Sequence, residues 1–276
     1  MRSQSILVYC LSCVLALAGA RCAHAYVDPL FADGFEAFAC TAADQPQPNA
    51  GIAAETGSGG CAAGMVRVDA FCIDRYEAAL IDDSAAGAPW SPYLNPAATP
   101  VHAISAQSAV PQGYISEVQA SAACVAAGKR LCTDVEWLRA CRGPSSTTYP
   151  YGNSHIAGAC NDVRATNPVL DYFGAGATFD ATELNHPCLN QLRPGLSRAG
   201  AQAACTGPEG VFDMAGNLDE WTSDPAGTFR GGDYVDDTLN GSGCLYTTTA
   251  HDAGYHDYRT GFRCCADMPL PLQRRP

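Results

Sequence analysis

Apolar and polar residues alternate along GMVRVDAFCIDRYE, residues 64–77. A period of two is typical of a strand with one buried face, so this segment predicts a strand or the opening of a hairpin. Cys61 precedes the segment and Cys72 lies towards its end, and a disulfide between them would staple the hairpin. The pattern therefore predicts β structure where the folded part of the chain begins.

Two helices are predicted next, in ISEVQASAACVAAGKR (115–130) and TDVEWLRACRG (133–143). Each begins with a capping box, in which a hydroxyl and a Glu or Gln three residues later satisfy each other's backbone N–H groups. The boxes are Ser116 with Gln119 and Thr133 with Glu136. Glycines that can end the helices follow at Gly128 and Gly143.

Helical signals nearly vanish after residue 143. Residues 144–210 are rich in Gly, Pro, Asn and Thr, and short strands resume only at GTFRGGDYV (227–235) and RTGFRCCAD (259–267). A loop of that length in a compact domain needs disulfides or bound metals to order it. Two helices, small sheets and long irregular loops predict the α+β class.

The ends of the chain predict segments outside the domain. Residues 1–25 have a basic start, an apolar run and the small-residue site Ala23-His24-Ala25, the layout of a cleaved secretory signal peptide. Residues 26–60 are rich in Ala, Gly, Pro and Gln and predict a mostly disordered linker. We expect the folded domain at 61–267 and a tail at 268–276, in a secreted or periplasmic protein with no membrane span.

Cysteine usage agrees with export. Of the 15 cysteines, three lie in the predicted signal peptide and twelve follow it, an even number that predicts a disulfide framework without giving the pairing. Zinc sites are the alternative, but the chain has no pair of CxxC motifs. The twelve are Cys40, Cys61, Cys72, Cys124, Cys132, Cys141, Cys160, Cys188, Cys205, Cys244, Cys264 and Cys265.

The formal net charge of −12, with Lys129 as the one lysine, disfavours nucleic-acid and anionic-membrane partners. It suits cationic partners or divalent metals, although an ordinary acidic exported protein would carry the same charge. The partner is left as an unknown protein, peptide or small molecule.

Seven stretches, in order, resemble the formylglycine-generating enzyme, or sulfatase-modifying factor, family. They are GMVRVDAFCIDRYE, GKRLCTDVEWLRACRG, YPYGN, ACN, GVFDMAGNLDEWT, FRGGDY and TGFRCCAD, and they extend over most of residues 61–267. The resemblance implies a variant of the C-type lectin-like fold, with two helices, small antiparallel sheets and long irregular loops.

Active members of this family oxidise a sulfatase cysteine to formylglycine, using oxygen and copper(I) held between two thiolates. The positions that match those thiolates are Asp236 and Gly241, and the nearby Cys244 matches a structural half-cystine instead. Oxygen ligands hold soft copper(I) poorly. The resemblance therefore implies a scaffold without copper chemistry, acting as a recognition or structural module. The alternative is an oxidase that makes formylglycine, or another metal-dependent oxidase on the same scaffold.

The resemblance also implies two disulfides, Cys124–Cys264 and Cys141–Cys244, and leaves Cys132 and Cys265 as extra cysteines that could pair beside them. It further implies calcium sites. The first would use the carboxylates of Asp213 and Glu220 with carbonyls of Ala215, Gly216 and Leu218; the second would use Asn161 and Asp162, with Asp171 and Phe173 as further candidates. The alternative for the first is a turn held by Gly216 and Asn217 without metal.

Residues 235–260 are rich in Asp, Asn, Thr, Tyr and His. In C-type lectin-like proteins this region often lines the ligand surface, and such side chains suit adaptable hydrogen bonding. An ordinary irregular surface is the alternative, and a metal site at His251, Asp252, His256 and Asp257 is a weaker one, since histidines five apart on a strand face opposite ways. The candidate ligand residues are Asp236, Asn240, Tyr246, His251, Tyr255 and His256.

Overall fold

The alternating segment at 64–77 forms an antiparallel hairpin in a computed structural model that describes residues 40–42 and 46–268. Its strands, β1 (Met65–Val68) and β2 (Phe71–Asp74), turn at Asp69, whose backbone has a positive φ of 47°. Seven of the eight strand residues are buried, so this hairpin belongs to the interior of the domain.

Three small sheets make up the β structure. Besides β1 and β2, the strands are β3 (Ala78–Asp82), β4 (Ala88–Pro89), β5 (Val101–Ser105), β6 (Arg130–Leu131), β7 (Asp219–Trp221), β8 (Phe229–Arg230), β9 (Thr247–Thr248), β10 (Thr260–Phe262) and β11 (Cys264–Asp267). The first sheet has the order β1-β2-β11-β6, the second β10-β7-β8-β9 and the third β4-β3-β5. Pairing is antiparallel except between β7 and β10, which run parallel because the chain between them crosses over instead of turning back.

The two predicted helices are α1 (Glu117–Ala126) and α2 (Asp134–Arg142). Both capping boxes form, because the Ser116 and Thr133 hydroxyls accept the N–H groups of Gln119 and Glu136 at 3.3 Å. Gly143 ends α2 with a φ of 58°, a conformation that costs glycine little. Local capping chemistry thus places both helix starts where the sequence predicts them.

Two further short helices correct the prediction that helical structure ends at residue 143. They are α3 (Pro168–Phe173) and α4 (Ala181–Leu184). Asn167 and Asp180 cap them through side-chain oxygens that accept N–H groups of the first turn. The helices are six and four residues long, which is too short to give a clear apolar period.

Two tryptophans anchor the apolar interior. Trp137 of α2 packs with Val66 and Ile73 of the hairpin in one buried cluster. Trp221 of β7 packs in a second cluster, which lies against α1 and also contains Leu80 and Phe262. Both indole rings are fully buried, so the helices are held onto the sheets chiefly by apolar burial.

Six disulfides use all twelve cysteines of the described residues, and they include the pairs that the hairpin pattern and the resemblance predict. They are Cys40–Cys188, Cys61–Cys72, Cys124–Cys264, Cys132–Cys265, Cys141–Cys244 and Cys160–Cys205. Four of them join residues more than a hundred positions apart. They order the loop-rich domain, and such a set is typical of proteins outside the reducing cytosol.

Part of the predicted linker is packed onto the domain. Asn49 is fully buried, its Oδ1 accepts the N–H of Val110 and its Nδ2 donates to the Val110 carbonyl, both at 2.8 Å. Cys40 is tied to Cys188 by a disulfide. Residues 46–60 therefore differ from a disordered linker, because a buried amide and a distant cysteine hold this polar sequence in place.

The predicted signal peptide, residues 26–39 and 43–45 of the linker, and the tail after residue 268 lie outside the described residues. Within the described ranges, no helix has both the length and the apolar character needed to cross a membrane.

Candidate functional site

The two positions that match the copper thiolates of the family hold Asp236 and Gly241 instead of cysteines. Asp236 is half-buried, and its Oδ1 accepts the Thr238 hydroxyl at 2.6 Å while its Oδ2 accepts the Leu239 N–H at 2.8 Å. Gly241 has a φ of 116°, and a Cβ added there would lie 2.5 Å from the Leu245 carbonyl oxygen. Asp236 thus caps a turn, and the backbone at Gly241 has no room for a side chain.

Four charged side chains and one tyrosine that interact electrostatically form what we name the Arg259 cluster, consisting of Asp219, Asp233, Tyr246, Asp257 and Arg259. Parallel pairing of β7 and β10 places Thr260 opposite Asp219, and the Asp219 N–H donates to the Arg259 carbonyl at 2.9 Å. Residues from two distant parts of the chain therefore meet at one edge of the second sheet.

Arg259 is the positive charge of this cluster. Its guanidinium donates to Asp257 Oδ2 at 3.1 Å and lies 3.7 Å from Asp233 Oδ2, while a third of the side chain remains exposed. The charge of Asp257, opposed by burial and assisted by Asp233, raises the pKa of Arg259. Arg259 stays protonated and partly neutralises two buried carboxylates.

Asp219 is the least satisfied member of the cluster. It is 1% exposed, and its Oδ1 has no hydrogen-bond partner among the described residues. Burial, together with the charges of Asp233 and Asp257, raises the pKa of Asp219 well above its ordinary value, while Arg259 opposes that rise. Burial likewise raises the pKa of Asp233 to about 6, again against Arg259. The cluster is therefore rich in buried acid and short of positive charge.

Aromatic side chains border the cluster. The Tyr255 hydroxyl donates to Asp257 Oδ2 at 2.7 Å, and the His251 ring stacks on Tyr255 with centroids 3.7 Å apart. Burial lowers the pKa of His251, which keeps the imidazole neutral at neutral pH. Tyr246 is buried, and burial followed by the charges of Asp219 and Asp233 raises its pKa.

The structure brings together part of the predicted ligand surface. Tyr246, Tyr255 and His251 border the Arg259 cluster, and exposed Asn240 donates to the Tyr246 hydroxyl at 3.4 Å. His256 contacts Asn185, since its Nδ1 lies 2.6 Å from Asn185 Oδ1. Across the described residues, no group of three or more His, Cys, Asp or Glu side chains is arranged to hold a metal ion, so the weaker metal alternative at the histidines finds no support.

The predicted calcium loop has its carboxylates engaged by protein groups. Arg263 donates to both oxygens of Glu220, at 2.6 and 2.5 Å, and Trp137 Nε1 donates to Oε2 at 2.8 Å. Asp213 Oδ2 accepts the Gly200 N–H at 2.6 Å, and burial raises the pKa of Asp213 to about 7. Glu220 is held in a buried ion pair with Arg263, and its role as a calcium ligand stays a prediction.

The turn inside this loop is held by amide and carboxyl groups. Asn217 Oδ1 accepts Asn161 Nδ2 and the Ser197 N–H, each at 2.9 Å, and its Nδ2 donates to Glu77. Glu77 also accepts the Leu218 N–H at 3.0 Å. These contacts hold the turn at Asn217, and whether calcium or Gly216 and Asn217 alone order it stays a prediction.

The second predicted calcium group is also divided among protein contacts. The Asn161 amide donates to the Gly195 carbonyl at 3.0 Å, and Asp162 Oδ2 lies 2.9 Å from His155 Nε2. Asp171 accepts from Arg164 at 2.6 Å. Calcium binding by the remaining carbonyls of Ala215, Gly216 and Leu218 and by residues 161–162 stays a prediction.

Sequence reasoning missed Asp219, Asp233 and Arg259 as site residues, and it named Asp257 only in the weaker metal alternative. A signal was present in GNLDEWT, where two acidic residues stand between a buried leucine and a buried tryptophan. Charged residues are rarely buried without a partner, so such a pair inside an apolar strand calls for counter-charges from elsewhere in the fold.

The domain is an α+β, disulfide-bonded unit of the C-type lectin-like kind, with its acidic cluster beside the second sheet. The chain belongs to the sulfatase-modifying factor enzyme 1-like domain family, which matches it over residues 50–268. The predicted family and fold class are thus confirmed. No curated protein sequence matches it significantly.

The solved structures that match this chain include three proteins of low sequence identity. The Major Tropism Determinant I1 variant is 14% identical with a TM-score of 0.42, and the match covers 74% of this chain and 52% of that one, so this chain spans about half its length. CarF is 14% identical with a TM-score of 0.42, over 72% of this chain and 87% of CarF. PvdO from Pseudomonas aeruginosa is 15% identical with a TM-score of 0.40, over 71% of this chain and 80% of PvdO.

Proposed function

We propose that this protein is an exported recognition module that has the sulfatase-modifying factor scaffold without its copper-dependent cysteine oxidation. The observation that carries the proposal is the pair Asp236 and Gly241 at the thiolate positions. A thiolate is what soft copper(I) prefers, and neither residue supplies one. At Gly241 the backbone would also reject a replacement side chain, because its Cβ would lie 2.5 Å from a carbonyl oxygen.

The disulfides support the same conclusion. The twelve cysteines of the described residues all lie in disulfides, and Cys244, the cysteine nearest to Gly241, is bonded to Cys141. A disulfide sulfur is not a thiolate and does not bind copper(I) as one. Thus nothing in the described part of the chain offers a displaced thiolate pair to replace the missing one.

The surface beside these positions supports recognition. Asp236, Asn240, His251 and Tyr255 are at least partly exposed, and they border the buried charges of the Arg259 cluster. Polar and aromatic side chains held on a disulfide-bonded frame bind ligands with little loss of conformational entropy. We place this module in a periplasm or outside the cell, where its disulfides are maintained.

Thiol titration and peptide oxidation test the proposal together. Protein purified after export is denatured without reductant and titrated for thiols, and the native protein is incubated in air with copper(I) and a sulfatase-derived cysteine peptide. We expect no free thiol and no aldehyde product by mass spectrometry, while an active formylglycine-generating enzyme serves as the positive control. Aldehyde formation by the purified protein would refute the proposal, and tightly held copper or iron in metal analysis would favour an oxidase.

A further inference from the structure

The Arg259 cluster contains more negative than positive charge. Asp219, Asp233 and Asp257 are each at most 2% exposed, whereas Arg259 is the one arginine of the cluster. Asp236, the half-buried residue at the thiolate position, adds its charge to the field at Asp219. Buried carboxylates are retained in proteins when cations or hydrogen-bond donors pair with them, and three carboxylates here share one guanidinium.

The shortage of donors is centred on one atom. Asp257 is fully paired, since its Oδ1 accepts the Arg259 N–H and its Oδ2 accepts Arg259 and Tyr255. Asp233 Oδ1 accepts the Val235 N–H at 2.5 Å. Asp219 Oδ1, by contrast, is buried without a partner. An unpaired buried oxygen of this kind costs stability until a donor reaches it.

Arg259 is the partly exposed member of the cluster, and its pairing with Asp233 is loose. Its guanidinium approaches Asp233 only to 3.7 Å, and a third of its side chain is in contact with solvent. Tyr255 reaches Asp257 through its hydroxyl, and His251 stacks on the Tyr255 ring; both side chains are partly exposed. Aromatic faces attract organic cations, and a neutral imidazole does not repel them.

We propose that the Arg259 cluster binds an organic cation, a protonated amine or guanidinium of a ligand, which shifts Arg259 outward and donates to Asp219 Oδ1. The proposal rests on the recognition function proposed above and names the ligand chemistry of that surface. An anion is disfavoured, because it would face three carboxylates and one arginine. A metal ion is disfavoured because the described residues contain no group of His, Cys, Asp or Glu side chains arranged to hold one.

Two probes distinguish the sources of such a cation. One is spermidine, a free polyamine, and the other is an end-blocked peptide containing one lysine; the same peptide with acetylated lysine is the uncharged control. Binding to the purified protein is measured by isothermal titration calorimetry. We expect the lysine peptide or spermidine to bind and the acetylated peptide not to bind. Binding of the peptide alone assigns a protein ligand, and binding of both assigns the cation itself.

Two variants with opposite expected effects connect binding to the cluster. Asp219→Asn removes the acceptor charge and should weaken binding by about tenfold or more, the usual cost of losing one charged hydrogen bond. Arg259→Gln removes the internal cation and should strengthen binding. Asp267→Asn, which removes one charge from a side chain that is 86% exposed in the first sheet, is the matched control and should change affinity less than twofold, as for a distant exposed charge.

The proposal is overturned if neither probe binds at millimolar concentration, if the acetylated peptide binds equally, or if Asp219→Asn binds like the unmodified protein. If Asp219→Asn fails to fold by circular dichroism, Arg259→Gln decides, and unchanged or weaker binding there overturns the proposal. These failures differ from a failure of the proposed function, which would appear as free thiols or as aldehyde product.

Discussion

Asp237 is the buried group whose replacement tests the electrostatics of this domain most directly. Its side chain is fully buried, and neither carboxylate oxygen has a hydrogen-bond partner among the described residues. Burial, with the charges of Asp162 and Asp236, raises the pKa of Asp237 to about 7, while His155 opposes the rise. We expect Asp237→Asn to stabilise the protein in neutral and alkaline solution.

The direction of this change in stability follows from the pKa of Asp237 in the folded and unfolded states. The unfolded carboxyl titrates near its ordinary value of 3.8 and the folded one near 7, so the folded state holds the proton more tightly between these values. Stability that is fully present below the unfolded pKa is therefore lost as the pH rises through the folded pKa. The rise of the Asp237 pKa from 3.8 to about 7 limits this loss of folding stability to about 4 kcal/mol.

The variant should recover part of that loss. Asparagine is uncharged at every pH, although its amide also lacks partners, and local relaxation eases the cost of an ionised carboxylate. We expect Asp237→Asn to raise the free energy of unfolding by about 1–3 kcal/mol at about pH 8 and to change it little at about pH 4.

Guanidinium denaturation followed by tryptophan fluorescence, with disulfides intact, measures this difference across the pH range. Asp267→Asn, a mostly exposed carboxylate, is the control and should change stability by less than about 0.5 kcal/mol at either pH. A stabilisation by Asp237→Asn that is equal at both ends of the range, or a destabilisation above neutral pH, would refute the reasoning.

Three further substitutions test a buried ion pair, a disulfide and a buried amide. Glu220→Gln removes the carboxylate that pairs with the buried Arg263 and should cost about 3–5 kcal/mol in unfolding free energy, equally in calcium and in a calcium chelator. Loss of the Cys132–Cys265 disulfide in a double alanine variant should cost about 2–4 kcal/mol in the same denaturation assay. Asn49→Ala leaves two backbone groups of residue 110 unpaired and should cost about 1–3 kcal/mol.

Each of these has its own contradicting result. If Glu220→Gln lowers the free energy of unfolding only when calcium is present, Glu220 is a calcium ligand. An unchanged midpoint for the cysteine variant would mean that the bridge adds nothing to a frame already closed by its neighbour, Cys124–Cys264. An unaffected Asn49→Ala would support the prediction that residues before 61 act as a linker.

Local patterns predicted the elements whose causes are local. The β1–β2 hairpin, the capping boxes of Ser116 and Thr133 and the Cys61–Cys72 disulfide all follow from residues a few positions apart. The short helices α3 and α4 were missed because a single capping residue and one or two turns leave little periodicity.

The resemblance also predicted disulfides between cysteines that lie far apart in the chain. The bridges Cys124–Cys264 and Cys141–Cys244 match what the family implies. Glu220, which the family pattern makes a calcium ligand, is held in an ion pair by Arg263, and calcium binding there stays a prediction. A family motif specifies a loop more closely than it specifies the partner of each side chain in that loop.

The identity of residues 236 and 241 is a property of the sequence alone: the positions that match the copper thiolates of the family hold an aspartate and a glycine. The meeting of Asp219 with Asp233, Asp257 and Arg259 was decided only by the tertiary structure. The physical reason is the parallel pairing of β7 with β10, because the strands come from distant parts of the chain and no local pattern records which charges their pairing brings together.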